Sequence, residues 1–176
     1  MTHSSTCIVL IGPRGSGKTT VARLLAERLG WNWIDADALL EERAGRSIRT
    51  LFAEEGEAGF RDREAALLGE LLRRDRHVLA TGGGVVVRPE NRHLLQAQER
   101  VIWLTGDIDS LWTRISGDAT TAERRPNLTT GGREEIAQIV AQRESLYRAC
   151  ARFQVDTGHI TPEDVVETIL AWLSAQ

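Results

Sequence analysis

We predict an α/β fold in which a parallel β-sheet is covered by helices on both faces. Short apolar segments alternate along the chain with longer amphipathic ones, which is the order expected of strands joined by helices. The apolar segments are nearly continuous in hydrophobicity, as in strands buried on both sides, and right-handed crossovers would connect them. The 176 residues suit one domain with a full core, and we find no internal repeat or domain boundary.

The first half of the chain contains three predicted strands with helices between them. Strands are expected at 7–12, 31–37 and 77–80, and helices at 18–30, 37–45, 47–56 and 57–74. The helix at 18–30 shows the pattern most clearly. It presents one apolar face, formed by Val21, Leu24, Leu25 and Leu29, and it ends at Gly30, a good C-terminal residue.

The second half continues the alternation. Strands are expected at 100–104 and 153–156, and helices after Pro89 and at 109–116, 133–151 and 161–173. The final helix has the strongest start signal, because Thr161 can cap it, Pro162 fits its first position and Asp164 completes a capping box. Segment 117–132 lacks an apolar period and is rich in Thr, Gly and charge, so it predicts a functional lid or a disordered loop.

Composition excludes several classes of protein. With 22 basic and 25 acidic residues the formal net charge is −3, so we expect no nucleic-acid partner. No apolar run approaches the roughly 20 residues that span a bilayer, and the first residues do not resemble a secretory signal. Cys7 and Cys150 lie in apolar surroundings without metal spacing. We therefore expect a cytoplasmic protein with two reduced packing cysteines.

Residues 12–19, "GPRGSGKT", match the phosphate-binding pattern G-x-x-x-x-G-K-[ST] between a strand and a helix. In such a loop backbone N–H groups and the helix N-terminus hold phosphate oxygens, Lys18 reaches the terminal phosphates and Thr19 ligates Mg²⁺. The alternative is a glycine-rich turn with a chance lysine. The motif in this context predicts a nucleoside triphosphate site, and we assign Gly15, Ser16, Gly17, Lys18, Thr19 and Thr20 to it.

Among proteins with this loop, a small-molecule kinase accounts best for the rest of the chain. A GTPase should carry an Asn-Lys-x-Asp segment, which is absent, and a nucleic-acid ATPase would normally be larger or more basic. Further motifs follow in order: "DAD" (35–37), "FRDRE" (60–64), "TGGG" (81–84), "RRP" (124–126) and "RESLYR" (143–148). In these motifs and their spacing the whole chain resembles the shikimate kinase family of P-loop small-molecule kinases.

The resemblance implies a single P-loop kinase domain over 1–176 with a five-stranded parallel sheet. A substrate-binding helical region would lie at about 37–74 and a lid at about 117–132. The implied reaction transfers the γ-phosphoryl group of ATP to the 3-hydroxyl of shikimate, with Mg²⁺, in the pathway to chorismate and aromatic amino acids. We expect a monomer whose partners are ATP and shikimate. A kinase for another hydroxy acid, such as gluconate, and a non-catalytic nucleotide-binding protein remain alternatives.

The resemblance also implies roles for the two acidic residues after the second strand. Asp35 would help to hold Mg²⁺, and Asp37 would bind the acceptor hydroxyls and orient the attacking one or take its proton. The alternative is a solvated turn in which Asp37 caps the next helix. Lys18, Asp37 and Arg125 are the expected catalytic residues.

Basic residues and glycines would bind the rest of the two substrates. By resemblance, Arg61 and Arg143 bind the shikimate carboxylate, and Gly82, Gly83 and Gly84 form a wall of its pocket. Glu64 lies three residues after Arg61 and can hold its guanidinium. Alternatively, Arg143 is a surface residue and the glycines form only a tight turn.

The lid and the adenine side complete the implied site. Arg125 would reach the ATP phosphates from the lid, with Arg124 as the alternative, and Arg114 would lie beside the adenine. The loop before the last helix, "DTGHITP", lacks the arginine that many members have there. His159 or Ile160 is the candidate to cover the base instead.

Overall fold

The computed structural model describes residues 6–117 and 132–176. Within them, five strands form one parallel sheet in the order β2-β3-β1-β4-β5. The strands are β1 (Cys7–Ile11), β2 (Asn32–Asp35), β3 (His77–Ala80), β4 (Val101–Thr105) and β5 (Phe153–Asp156). The predicted number of strands and their parallel arrangement are confirmed.

Helices connect consecutive strands. They are α1 (Lys18–Leu29), α2 (Ala36–Ala44), α3 (Ile48–Leu71), α4 (Pro89–Gln96), α5 (Ile108–Gly117), α6 (Gly132–Cys150) and α7 (Pro162–Ser174). Pro89 is the first residue of α4, as expected. The predicted capping box of α7 is also present, since the Thr161 hydroxyl accepts from the Asp164 N–H while the Asp164 carboxylate accepts from the Thr161 N–H.

The side chains of β1 divide between two cores, one on each face of the sheet. Cys7, Val9 and Ile11 belong to a cluster that includes residues of α3, α4 and α6. Ile8 and Leu10 belong to a second cluster, built mainly with α1 and α7. This alternation follows from the two-residue period of a strand, and it confirms that helices cover both faces.

The edge strands are less buried than the sequence pattern predicts. β1 is buried along its whole length, whereas in β2 Asn32 and Trp33 are exposed, and in β5 Gln154 and Asp156 are exposed. Each edge strand has one paired neighbour, so part of its surface faces solvent. Continuous burial therefore holds for the central strands only.

The helices predicted at 47–56 and 57–74 form one helical run that is interrupted at the predicted boundary. Gly56 has φ 71° and ψ 179°, and the chain turns there before the helix resumes. The two predicted segments are thus the two limbs of α3.

The remaining expectations about the core hold in the described ranges. Both cysteines are free and buried, and burial together with the nearby Asp75 carboxylate raises the pKa of the Cys7 thiol to about 12. That thiol is an inert packing group. Among the described helices, none has the length and hydropathy needed to cross a membrane.

Candidate active site

The predicted site residues come together because the strands are parallel. The chain after β1, β2 and β3 leaves the sheet at the same edge, and β1 sits where the strand order changes direction. Crevices at such a switch point are the usual ligand sites of open α/β sheets. The phosphate loop, the two aspartates and the glycine triplet all lie there.

The phosphate loop, residues 12–19, is shaped by close backbone approaches. A Cβ at Gly12 would lie 2.2 Å from the carbonyl oxygen of Leu104, and its φ of 145° is unfavourable for other residues. Helix α1 starts at Lys18, directly after Gly17. The loop therefore ends at a helix N-terminus, an arrangement suited to an anion.

Lys18 is folded over this loop. Its side chain is largely buried, and its ammonium group donates to the carbonyls of Gly12 and Pro13, both at 2.8 Å. These contacts hold a positive charge at the centre of the loop, beside the N-terminus of α1. A phosphate bound in the loop would contact both the ammonium group of Lys18 and the N-terminus of α1.

Asp35 links the phosphate loop to the next helix. The Thr19 hydroxyl donates to Asp35 Oδ2 across 2.6 Å, and Asp35 Oδ1 accepts from the N–H of Ala38 at 3.0 Å. Asp35 is therefore the N-cap of α2, whereas Asp37 lies inside the first turn of that helix. The alternative in which Asp37 is the cap is wrong.

Arg61 is buried on α3 and is held by acidic and aromatic neighbours. Its Nη1 donates to Glu64 Oε2 at 2.8 Å, as the spacing predicts, and its Nη2 lies 3.5 Å from Glu57 Oε1. The guanidinium carbon lies 5.3 Å from the ring centre of Phe60. Its Nε is buried and makes no hydrogen bond with the described residues. The guanidinium thus keeps one unused donor in a region of low solvent access.

The glycine triplet, residues 82–84, meets Arg61 directly. A Cβ at Gly84 would stand 2.3 Å from Arg61 Nη2, so any other residue would force this guanidinium to move. A Cβ at Gly83 would lie 3.4 Å from the backbone nitrogen of Arg14 in the phosphate loop, which is an ordinary contact. The triplet is therefore packed between the phosphate loop and Arg61.

Helix α6 reaches the same triplet from the other side. Arg143 Nη1 donates to the carbonyl oxygen of Gly83 at 3.1 Å, and the Tyr147 hydroxyl donates to the same oxygen at 2.5 Å. Arg143 is half-buried, so it is not a fully exposed residue of the helix surface. The two arginines expected to share one anion thus both contact neighbouring glycines.

Arg114 ties the phosphate loop to the loop before α7. Its Nη1 donates to the carbonyl of Gly15 at 3.2 Å and to the Thr157 hydroxyl at 3.0 Å, and its Nη2 donates to the carbonyl of Thr157 at 2.5 Å. Nearby, His159 lies 3.6 Å from the Asp107 carboxylate and Ile160 is exposed. The adenine contacts expected of these residues stay predictions.

Two site residues were missed by sequence reasoning. Thr157 is buried, with its hydroxyl 2.8 Å from the Thr105 carbonyl and 3.2 Å from that of Ser16. No signal in "DTGHITP" marks it. Tyr147 could have been found, because it follows Arg143 by four residues and so shares its helix face.

Arg124 and Arg125, with most of the predicted lid, lie outside the described residues.

Comparison with known proteins agrees with this geometry. The family model described as "Shikimate kinase" matches residues 14–174. A shikimate kinase of Rhodopirellula baltica is 43% identical over 164 residues, which cover 93% of this chain and 88% of the relative.

Solved structures give the same result. The shikimate kinase of Acinetobacter baumannii, solved in complex with shikimate, superposes with a TM-score of 0.90 at 34% identity, covering 98% of this chain and 94% of the other. A gluconokinase from Sinorhizobium meliloti 1021 has a TM-score of 0.61 at 23% identity, covering 98% and 93%, a likeness that shows the fold alone. The phosphate loop, the ordered motifs and these matches together establish that the chain belongs to the shikimate kinase family.

Proposed function

We propose that this chain transfers the γ-phosphoryl group of ATP to the 3-hydroxyl of shikimate, giving shikimate 3-phosphate and ADP. The observation that carries the proposal is the packing of the glycine triplet. Gly83 lies against the backbone of the phosphate loop, while its carbonyl contacts Arg143 and its neighbour Gly84 contacts Arg61. A site for a phosphoryl donor thus adjoins a site for a carboxylate, as a kinase for a small hydroxy acid requires.

On the donor side, the phosphate loop and Arg114 bind ATP. Lys18 supplies a positive charge to the phosphates. Backbone and hydroxyl donors come from Gly15, Ser16, Gly17, Thr19 and Thr20. The ammonium group would exchange its bonds to loop carbonyls for phosphate oxygens. Phosphoryl transfer depends mainly on positioning and on stabilising charge, and these groups do both.

Thr19 and Asp35 would hold the magnesium ion that accompanies ATP. The hydroxyl and the carboxylate lie within 2.6 Å of each other, and both are the oxygen ligands that Mg²⁺ prefers. Since Mg²⁺ keeps several water ligands, one or two protein groups and the phosphates are enough. When bound, the ion would neutralise charge that develops on the transferred group.

On the acceptor side, Arg61 and Arg143 bind the carboxylate and Asp37 orients the hydroxyl. A guanidinium matches a carboxylate in shape, and the buried Nε of Arg61 offers one donor that the described residues leave unused. Asp37, in the first turn of α2, lies two residues from Asp35 and can receive the proton of the attacking hydroxyl. Gly82, Gly83 and Gly84 would form the wall between the two substrates.

Further parts of the assignment stay predictions. The same proposal includes a lid at about 117–132, with Arg125 as its phosphate ligand. It also includes the helical region at about 37–74 as the acceptor site. The monomeric state, the cytoplasmic location and the lack of nucleic-acid and membrane partners stay predictions as well.

An acceptor panel tests the proposal against its alternatives. ADP release is measured with ATP, Mg²⁺ and either shikimate or gluconate, and phosphorus NMR locates the phosphate on the product. We expect turnover with shikimate and a phosphate on its 3-hydroxyl. Preference for gluconate would identify a kinase for another acid, and ATP binding without turnover on either would indicate a non-catalytic protein.

A further inference from the structure

Two donors on one face of α6 converge on a single carbonyl oxygen. Arg143 and Tyr147 are four residues apart, so both side chains point the same way from the helix. Arg143 Nη1 lies 3.1 Å and the Tyr147 hydroxyl 2.5 Å from the oxygen of Gly83. Gly83 is itself buried, and so this carbonyl depends on protein donors.

The two donors differ in how firmly they are held. Tyr147 is 1% exposed, belongs to the core beneath the sheet and stacks on Trp103 with ring centres 5.7 Å apart. Arg143 is only half-buried and has a longer side chain. The tyrosine hydroxyl is therefore the fixed donor, and the guanidinium is the one that can turn away.

Arg143 has two acceptors to serve if the proposed function is correct, and the inference rests on that function. One acceptor is the Gly83 carbonyl, and the other is the carboxylate of the bound acid. A guanidinium that engages a carboxylate with two parallel hydrogen bonds must reorient. Leaving a buried carbonyl without any donor would oppose that movement.

We infer that Tyr147 is a positioning residue that keeps the Gly83 carbonyl hydrogen-bonded while Arg143 moves to the carboxylate of the acceptor. The tyrosine does not contact the substrate. It lowers the cost of releasing Arg143, and it holds the glycine triplet in place against the phosphate loop during that release.

Tyr147→Phe tests the inference, since it removes the hydroxyl and keeps the ring. Arg143 then becomes the remaining donor that the described residues offer to Gly83. We expect the KM for shikimate to rise roughly tenfold, with the KM for ATP and kcat close to those of the unmodified enzyme. An unchanged KM for shikimate overturns the inference, and so does an equal rise in both KM values.

Thr105→Val is the matched control. The half-buried Thr105 hydroxyl donates to the carbonyl of Val155 at 3.4 Å, between β4 and β5. The variant therefore loses a hydrogen bond from a hydroxyl to a backbone carbonyl, and it does not touch the glycine triplet, Arg143 or Tyr147. It should melt at a similarly lowered temperature and retain the KM for shikimate. A KM that rises as much as in Tyr147→Phe would assign the effect to general loosening and overturn the inference.

A double-mutant cycle separates positioning from a purely structural role. In an Arg143→Ala background there is no guanidinium to release, so adding Tyr147→Phe should leave the KM for shikimate nearly unchanged. A further tenfold rise there would contradict the inference.

Tyr147 is also the only tyrosine of the chain, so ultraviolet resonance Raman scattering reports its hydrogen bond directly. The donor signature should persist when shikimate binds, and its loss would contradict the inference.

The unmodified enzyme separates this inference from the proposed function. Absence of shikimate-dependent ADP release from the wild type refutes the function itself. Normal wild-type turnover with an unaffected Tyr147→Phe variant refutes only the role of Tyr147.

Discussion

Gly84 lies against the guanidinium of Arg61, so closely that a Cβ on Gly84 would stand 2.3 Å from Nη2 and 2.4 Å from Nη1. None of the three glycines in the triplet has a positive φ, so backbone conformation does not explain them. At Gly84 the reason is space for a neighbouring side chain. Gly84 thus serves the geometry of the site even before a substrate is considered.

Gly84→Ala should therefore act through Arg61. The added methyl group must displace a guanidinium that is buried and paired with Glu64. Overpacking of this kind costs about 1–3 kcal/mol of stability, and the KM for shikimate should rise about tenfold or more. Steady-state kinetics and thermal melting measure the two effects. Gly83→Ala is the comparison, because its Cβ would make only ordinary contacts of 3.4–3.8 Å and should destabilise the fold less. Equal melting temperatures for the two variants would contradict the steric explanation.

Two substitutions of Asp35 should distinguish its role in magnesium binding from its role as the cap of α2. Asp35→Asn keeps a good helix cap and loses the charge, so the concentration of Mg²⁺ needed for half-maximal activity should rise while the melting temperature stays nearly unchanged. Asp35→Ala loses the cap as well, at about 1 kcal/mol. Magnesium titration and thermal melting of both variants check this. An Asn variant with an unaltered magnesium requirement would remove Asp35 from the metal site.

Asp37→Asn should lower turnover strongly and leave ATP affinity nearly unaltered. The expected role of Asp37 concerns the acceptor hydroxyl, and a positioned proton acceptor contributes roughly 100-fold or more. Turnover is measured at saturating substrates and ATP affinity by calorimetry. Because Asp35 caps α2 and Asp37 does not, the helix should remain intact. A wild-type rate in this variant would show that Asp37 has no part in the reaction.

Arg114→Ala should weaken ATP binding and spare shikimate binding. The arginine joins the carbonyl of Gly15 in the phosphate loop to Thr157, and both lie on the side of the site that we propose for the nucleotide. Loss of these bonds should raise the KM for ATP about fivefold or more. Arg28→Ala is the control, since Arg28 is exposed and pairs only with Glu167 among the described ion pairs. A normal KM for ATP in the Arg114 variant would place the adenine elsewhere.

Local patterns were enough to predict much of this fold. The strand of residues 7–11, the phosphate loop and Lys18 follow one another directly, so a single motif fixes their relationship. The Arg61–Glu64 pair was also predictable, since residues three apart share a helix face. Gly56 marked the break in α3, because glycine weakens a helical pattern and readily adopts a positive φ.

Contacts between distant segments were not predictable in this way. Arg143 and Tyr147 meet Gly83 across 60 and 64 positions of sequence, and the contact exists only because α6 packs against α4 and β4 in the folded chain. Thr157 reaches Ser16 across 141 positions. One alternative from the sequence made Asp37 the cap of α2, whereas Asp35 is the cap in the structure, because helix ends are uncertain by one or two residues.

The central claim is that phosphoryl transfer depends on shikimate. Its most direct test is ADP release from ATP and Mg²⁺ by the purified chain, with and without shikimate. A site that transfers phosphoryl groups should exclude water until the acceptor is bound, so release without shikimate should be slow. The account predicts that shikimate raises the rate at least a hundredfold, and that omission of Mg²⁺ abolishes the rise. Equal ADP release from folded protein in the presence and absence of shikimate would contradict it.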